Sequence, residues 1–240
     1  MKNLLAIDTA TDALSLALQV DGTLVTHHRV LPRRHQQLLF SVIDELCDGR
    51  PLASLDLDAV VYGKGPGSFT GLRIAASAAQ GLAYSLGIPA IGLSTLETQL
   101  RTYLRRHNSA VPAIYLSTID ARIDQLYAAV FHVDGTQLTA LGDPVIIAAA
   151  DLELPTEALS LGDLPVRVIG SGQAYRDAMP DDWASAPDEG MQVLPEAQDM
   201  LVPAAQRLDC GEVEQAGQVL PDYVQQKVGW KTLAEQGKSA

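Results

Sequence analysis

One passage of this chain occurs twice. "AIDTATDALSLALQVDGTL" (Ala6 to Leu24) and "TIDARIDQLYAAVFHVDGTQL" (Thr118 to Leu138) share I-D-x-x-x-D-x-L-x-x-A, then V-D-G-T. Ile7 and Asp8 stand against Ile119 and Asp120, Asp12 against Asp124, Leu14 against Leu126 and Ala17 against Ala129. One inserted residue later, Val20-Asp21-Gly22-Thr23 stands against Val133-Asp134-Gly135-Thr136. Two hairpins can resemble each other by chance. Here the turn and both aspartates keep their order, so duplication is the better account. Each copy then has to open with a β-meander. "LLAID" is a short apolar strand, "LSLALQV" alternates with Leu14, Leu16, Leu18 and Val20 on one face, Asp21-Gly22 is a hairpin turn, and "TLVTHH" continues as a third strand.

Beyond the first meander, helix and strand alternate. "HQQLLFSVIDEL" (His35 to Leu46) carries Leu38, Leu39, Val42, Ile43 and Leu46 on one helical stripe. "LDAVVYG" reads as a buried strand, Ser68 to Leu86 as a helix, "IPAIGL" as a strand and "STLETQLRTYLRRH" as a helix with a Ser94/Glu97 capping box. The second half offers "VRVIGSG" (Val166 to Gly172) as strand and turn, then "PEAQDMLVPAAQRL" as a helix interrupted by Pro203. Two matching α/β halves with opening hairpins resemble the two-lobed actin-like (ASKHA) architecture. The expected division is residues 1–107 and 108–216, with a boundary near His107 to Val111. The tail, about residues 217–235, should pack back as an extended segment and then a turn or short helix. Aromatics are only 5% of the chain, so Ala and Leu must fill most of both cores.

Nucleotide chemistry is the first thing such an architecture suggests, and two stretches bear on it. In actin-like ATPases the first hairpin carries Asp and Gly-Thr, the Gly letting backbone N–H groups close on phosphate and the Asp organising Mg²⁺. Here the turns read "DTATD" and "DARID", with no glycine in either. Asp8 is then a relic or caps its own turn. The second stretch, "YGKGPGSFTGLR", is glycine-rich but fails as a Walker A loop, because Leu72 and Arg73 come after Gly71 where Lys and Ser/Thr are needed. Its spacing also fails the dinucleotide fingerprint. It remains a strand-to-helix turn with a helix start at Ser68 or Thr70, which keeps anion binding open. A vestigial nucleotide site would comprise Asp8, Thr9, Ser68, Gly170 and Gly172.

The helix after that loop is mostly small: Gly71, Ala75, Ala76, Ser77, Ala78, Ala79, Gly81, Ala83 and Ser85. Small residues let a second helix approach closely. Because they cover more than one face, a partner outside the domain is expected beside the His35 to Leu46 helix. Two helices from each of two molecules would make a four-helix interface. The expected contacts are Leu38, Leu39, Val42, Ile43, Leu46, Leu72, Ala75, Ala78, Ala79 and Leu82. Ala75→Glu or Ala78→Glu is expected to split that interface.

Catalytic and metal signatures are thin. The histidines form no H-E-x-x-H, and Leu39 stands four residues after His35, so no i,i+4 pair arises there. Ser68 does not sit in a G-x-S-x-G elbow. A formal net charge of −12 argues against direct, strong binding to nucleic acid. Cys47 and Cys210 make no framework and read as reduced thiols of a cytoplasmic protein. No apolar run reaches membrane-spanning length, so no membrane association is expected.

"LLAIDTATDALSLAL", "HQQLL", "YGKGPGSFTGLRIAASAAQGLAYSLGIPAIGLSTLE" and "IDARIDQLYAAVF" together resemble the TsaB (YeaZ) family. That family is the bacterial partner subunit in the synthesis of threonylcarbamoyladenosine on tRNA. The resemblance covers most of the chain and implies a noncatalytic scaffold and activator, with no catalytic residues of its own. It implies a homodimer, or a heterodimer with the catalytic paralogue TsaD, together with the ATPase TsaE. Contact with tRNA would come through the complex. No tightly bound cofactor is implied, ATP/ADP and Mg²⁺ entering only in the assembled complex. TsaD carries an H-x-x-x-H metal pair on its helix; the matching place here is His35 with Leu39. The tail departs from the family's P-x-Y-L-R, reading Pro221-Asp222-Tyr223-Val224-Gln225. The rival expectation is an autonomous ATP-dependent kinase or carbamoyl-type transferase of the same architecture.

Overall fold

The two meanders form as the duplication requires. In the first, β1 (Leu4–Asp8) pairs antiparallel with β2 (Ala13–Val20), and β2 with β3 (Thr23–Val30). Parallel strands β4 (Ala59–Gly65) and β5 (Ala90–Ser94) then extend the sheet beyond β1, in the order β3-β2-β1-β4-β5. In the second half β6 (Ala113–Arg122), β7 (Gln125–Asp134) and β8 (Gln137–Ala140) repeat the meander. After β9 (Val145–Ala148), which pairs with the first half of β7, β10 (Val166–Gly170) and β11 (Ala184–Ser185) extend the sheet parallel to β6. Its order, β11-β10-β6-β7-β8, is that of the first sheet strand for strand. This is the duplicated two-lobed actin-like α/β fold. The computed structural model describes residues 1–108, 111–122, 124–181, 183–185, 190 and 192–224.

Helices α1 (His35–Leu46) and α2 (Phe69–Leu86) lie on one face of the first sheet. Ser68 caps α2 by accepting the Gly71 N–H, and Gly87 ends it in the left-handed conformation at φ 67°. Leu14, Leu16, Leu18 and Val20 of β2 form one core with Leu39, Val42, Ile43 and Leu46 of α1 and Ala75, Ala78, Ala79 and Ala83 of α2. The alternation of β2 therefore marks one buried face, but the other face is buried too. There Ser15 accepts a hydrogen bond from the Ala197 N–H at 2.9 Å, and Ala17 packs under residues from the far end of the chain.

The halves exchange their last helices. Helix α3 (Thr95–His107), capped by Ser94, puts Leu96, Leu100 and Tyr103 into the core of the second sheet with Tyr115, Phe131 and Ile169. Only half of the expected capping box forms: the Glu97 N–H meets Ser94, while the Glu97 carboxylate pairs with Arg101. In the second half, α4 (Thr156–Leu159) is short, and α5 (Leu201–Asp209) continues from a 3-10 turn at Ala197–Met200. Met200, Leu201 and Ala204 cover Leu4, Ala6, Val61 and Ile91 of the first sheet. Pro203 does not interrupt this helix. It lies in the first turn, where a missing N–H costs no intrahelical bond.

Polar side chains clamp the exchange. Arg105 meets Asp199 at 2.7 Å and Glu196 at 2.7 Å, and the Arg106 Nε donates to Glu196 at 2.7 Å. Thr102 donates to Asp199 at 2.8 Å and accepts the Glu196 N–H at 3.0 Å. Burial alone would push the Glu196 carboxyl up. The Gln198 hydrogen bond and the two arginines outweigh it and hold the group below its usual range.

The chain then returns to the first half. Ala90 and Glu214 exchange backbone hydrogen bonds at 2.8 Å, Lys64 pairs with Glu214 at 2.8 Å, and Gln80 donates to the Ala216 carbonyl. The Asp222 N–H donates to the Lys64 carbonyl at 2.7 Å. The buried Tyr62 hydroxyl lies 2.6 Å from Glu214; burial first, and that carboxylate second, push its pKa up. Residues 213–224 thus strap the edge of the first sheet, and the turn or short helix expected further on lies outside the described residues.

Candidate functional site

The glycine loop closes on the first aspartate turn. Strands β1 and β4 are parallel neighbours, so the end of β1 and the loop after β4 emerge side by side. A Cβ on Gly63 would overlap the Asp8 carboxylate, one on Gly67 the Ala10 carbonyl, and one on Gly71 the Thr9 carbonyl. The glycines are needed because backbone meets backbone here. The Ser68 N–H donates to the Ala10 carbonyl at 2.7 Å, and the Thr9 hydroxyl to the Gly71 carbonyl at 2.7 Å. Asp8 Oδ1 takes the Ala10 N–H at 3.0 Å, capping its own turn. Its Oδ2 is buried with no hydrogen-bond partner among the described residues. Burial raises the Asp8 pKa to about 7, against a smaller opposing effect of the Ala10 N–H.

The second turn repeats this device in a wetter setting. Asp120 Oδ1 accepts the Arg122 N–H at 2.8 Å and the Tyr175 hydroxyl at 3.3 Å, and the Asp120 N–H donates to Ser171 at 2.8 Å. The Asp120 charge pushes the Tyr175 pKa up. Gly170, at φ 89°, sits where a Cβ would strike the Thr118 carbonyl, and Gly172 packs on the Thr118 side chain. Both are thus explained by contact with β6. Between the two turns lies a cleft of about 610 Å³, bordered by Thr11, Asp12, Ser68, Asp120, Arg122 and Ser171. The structure brings Ser68 and the Gly170–Gly172 turn toward one cleft, whereas Asp8 and Thr9 are buried beside it. The N–H groups of Ala10, Ser68, Asp120 and Arg122 are all taken by the protein itself.

The expected interface residues lie deeper than a contact surface. Leu39, Val42, Ile43, Leu46, Leu72, Ala75, Ala78 and Ala79 are buried within this chain, while Leu38 and Leu82 are half-buried at the edge of the same core. A glutamate at Ala75 or Ala78 would therefore disrupt the fold itself, not an interface alone. The outward surface of α2 is a different stripe at i,i+4 spacing: Phe69, Arg73, Ser77, Gly81 and then Tyr84. Tyr84 is 83% exposed, Phe69 55%, and Phe40 of α1 57%. Phe40, Phe69, Arg73, Ile74 and Ser77 help line a groove of about 430 Å³ between the two helices.

At the end of this groove Phe69 and Arg73, one helical turn apart, meet Tyr223 from the far end of the chain. The Arg73 guanidinium lies 3.8 Å over the Phe69 ring, and its Nε donates to the Tyr223 hydroxyl at 2.9 Å. The Phe69 and Tyr223 rings are 5.3 Å apart. Sequence reasoning missed this trio: the i,i+4 spacing of Phe69 and Arg73 was the available signal, and nothing in the spacing points to Tyr223.

No group of three or more His, Cys, Asp and Glu side chains suited to a metal ion occurs among the described residues. His35 is buried at the start of α1 with Nε2 3.2 Å from the Asp12 carbonyl, and Leu39 is in the core. Cys47 and Cys210 are free. No helix among the described residues is long and apolar enough to cross a membrane.

Residues 26–167 match a family model described as TsaD, tRNA N6-adenosine threonylcarbamoyltransferase. The chain is 34% identical to the Escherichia coli tRNA threonylcarbamoyladenosine biosynthesis protein TsaB, over 96% of this chain and 97% of that one. It is 31% identical to the Bacillus subtilis protein of the same name, over 75% of each. The solved structure of YeaZ from Pseudomonas aeruginosa superposes with a TM-score of 0.81 at 32% identity, covering 93% of this chain and all of the other.

Proposed function

The chain belongs to the TsaB family, and through residues 26–167 to the wider family described as TsaD, and on that premise we propose that it is the noncatalytic partner subunit in making threonylcarbamoyladenosine on tRNA. It acts by docking a TsaD-like catalytic paralogue through the outer faces of α1 and α2. A TsaE-like ATPase, and any ATP/ADP and Mg²⁺, join only in the assembled complex, and tRNA is reached through that complex.

The observation that carries this reading is the use of the two aspartate turns. Phosphate cradles work by leaving backbone N–H groups free to converge on an anion. In this chain four such groups, on Ala10, Ser68, Asp120 and Arg122, are satisfied internally by Asp8, Ala10, Ser171 and Asp120. The α1–α2 face supports the docking half of the reading. Exposed Phe40, Phe69 and Tyr84 surround the small Ser77 and Gly81, so another helix can approach closely where the surface is flat and bury aromatic area around it. An interface of roughly 1,600 Å² in total would suffice for a stable pair.

Reconstitution tests it. The purified chain, the TsaD-like paralogue and both together, with the ATPase and the substrate precursor present, are assayed for modified tRNA. Product should require both proteins. Gly81→Glu, at a position with open space around it, should leave the fold intact and abolish the joint activity by placing an unpaired charge in the interface. Product from the chain alone would reject the reading. Undiminished joint activity with Gly81→Glu would reject the docking face.

A further inference from the structure

Among the described residues, five basic side chains are engaged by carboxylates: Lys2 by Asp209, Lys64 by Glu214, Arg101 by Glu97, Arg105 by Glu196 and Asp199, and Arg106 by Glu196. Arg73, like Arg29, Arg50 and Arg167, is not. It is exposed on α2, and no carboxylate pairs with it among the described residues, although the chain carries a net charge of −12. Yet it is held on two sides. Phe69 lies under the guanidinium plane, and the Tyr223 hydroxyl takes the Nε proton. Neither neighbour neutralises the charge, and the Nη1 and Nη2 edge makes no bond within the described residues. Arg73 is also the only charged side chain among the described residues lining the α1–α2 groove.

We infer that Arg73 is a pre-oriented receptor for a carboxylate, and that the occupant of the groove is a helix of the catalytic paralogue bearing an aspartate or glutamate beside its apolar face. This rests on the docking reading above and specifies its chemistry. A planar guanidinium with one edge free matches a carboxylate through two parallel N–H···O bonds, a geometry lysine cannot copy. Fixing that edge in advance removes much of the ordering cost of binding. The groove beside it is bordered by Phe40 and Ile74, which suit an aliphatic side chain one helical turn away from the acid.

The C-terminal strap thereby becomes part of the docking surface. Tyr223 reaches Arg73 because Asp222 is hydrogen-bonded to Lys64 and Glu214 is anchored on Ala90, Tyr62 and Lys64. Tyr223 is a positioning residue: it acts through Arg73 and need not touch the partner's acid. A Phe at this position keeps the ring on Phe69 and loses only the hydroxyl.

Calorimetric titration of the full chain with the purified TsaD-like paralogue, at low and high salt, tests this. Arg73→Lys should weaken binding by about tenfold although the charge is kept, and Tyr223→Phe by roughly threefold. Arg73→Gln should flatten the salt dependence that the native chain shows. The thermal midpoint of the isolated variants should stay near that of the native chain, which separates positioning from a structural role. If the native chain binds and all three variants keep its affinity and salt dependence, the carboxylate receptor is wrong and the docking reading stands. Variants that alter only self-association in sedimentation, with paralogue binding untouched, would also overturn it. If the native chain does not bind the paralogue, the docking reading fails and takes this proposal with it.

Discussion

Asp8, at the end of β1, and Asp120, two residues before the end of β6, make the same turn, each carboxylate taking the N–H two residues on. Their surroundings have diverged. Asp8 is 1% exposed, sealed under the glycine loop, with one oxygen unpartnered among the described residues. Asp120 is half-buried at the cleft and shares its oxygen with Tyr175. Duplication therefore conserved the turn, while the environment changed its energetics. In the first half the loop positioned to face a ligand is consumed in packing. In the second the turn remains at the rim of an open cleft.

The pH dependence that Asp8 imposes should be the strongest sign of this divergence. A carboxyl whose pKa is raised on folding binds its proton more tightly in the native state. Its contribution to stability is then full below the unfolded value of 3.8 and falls as pH rises toward about 7, beyond which the loss is complete. The shift corresponds to an upper bound of about 4 kcal/mol. Asp8→Asn should remove most of that slope in urea melts between pH 4 and 8. An unchanged slope would mean the carboxyl is not sealed as described.

Gly71→Ala comes next. Its Cβ would meet the Thr9 backbone, which cannot step aside, so a loss of about 3 kcal/mol in denaturant melts is expected. Gly172→Ala, in the second half, meets the Thr118 Cβ and a hydroxyl tied to the Ile169 carbonyl, so it should cost about 2 kcal/mol. A loss below about 1 kcal/mol at either glycine would mean that its turn is packed less closely than described. Glu196→Ala, at the clamp joining them, should cost about 1–2 kcal/mol in the same melts, because the arginines it leaves are partly solvated. Tyr175→Phe should do least, below about 1 kcal/mol, since its bond to Asp120 is long at 3.3 Å and solvent can replace it.

Much of the fold was readable from residue order. The paired I-D-x-x-x-D strings, the alternation of Leu14 to Val20 and the caps at Ser68 and Ser94 predicted the meanders and the helices after them. The exchange of α3 and α5 was not readable. Leu96, Leu100 and Tyr103 declare an apolar face but not which sheet will receive it. The same ambiguity governs the stripe of α1: Leu39, Val42, Ile43 and Leu46 mark a buried face, which is turned toward the chain's own first sheet. Glycine spacing says that something approaches closely at Gly63, Gly67 and Gly71. It does not say whether that is a phosphate or the Asp8 turn. Arg73 and Tyr223 meet only because the chain returns from the second half to the first.

On the proposed reading, both aspartate turns are closed on themselves, and this chain serves its partner as a surface and not as a nucleotide-driven catalyst. Titration calorimetry of the isolated chain with Mg-ATP puts that to the test. The expected result is no saturable binding up to about 1 mM, a ligand concentration that would reveal any interaction stronger than roughly −4 kcal/mol. Tight binding that disappears in Asp8→Ala would show instead that the first turn still holds a nucleotide.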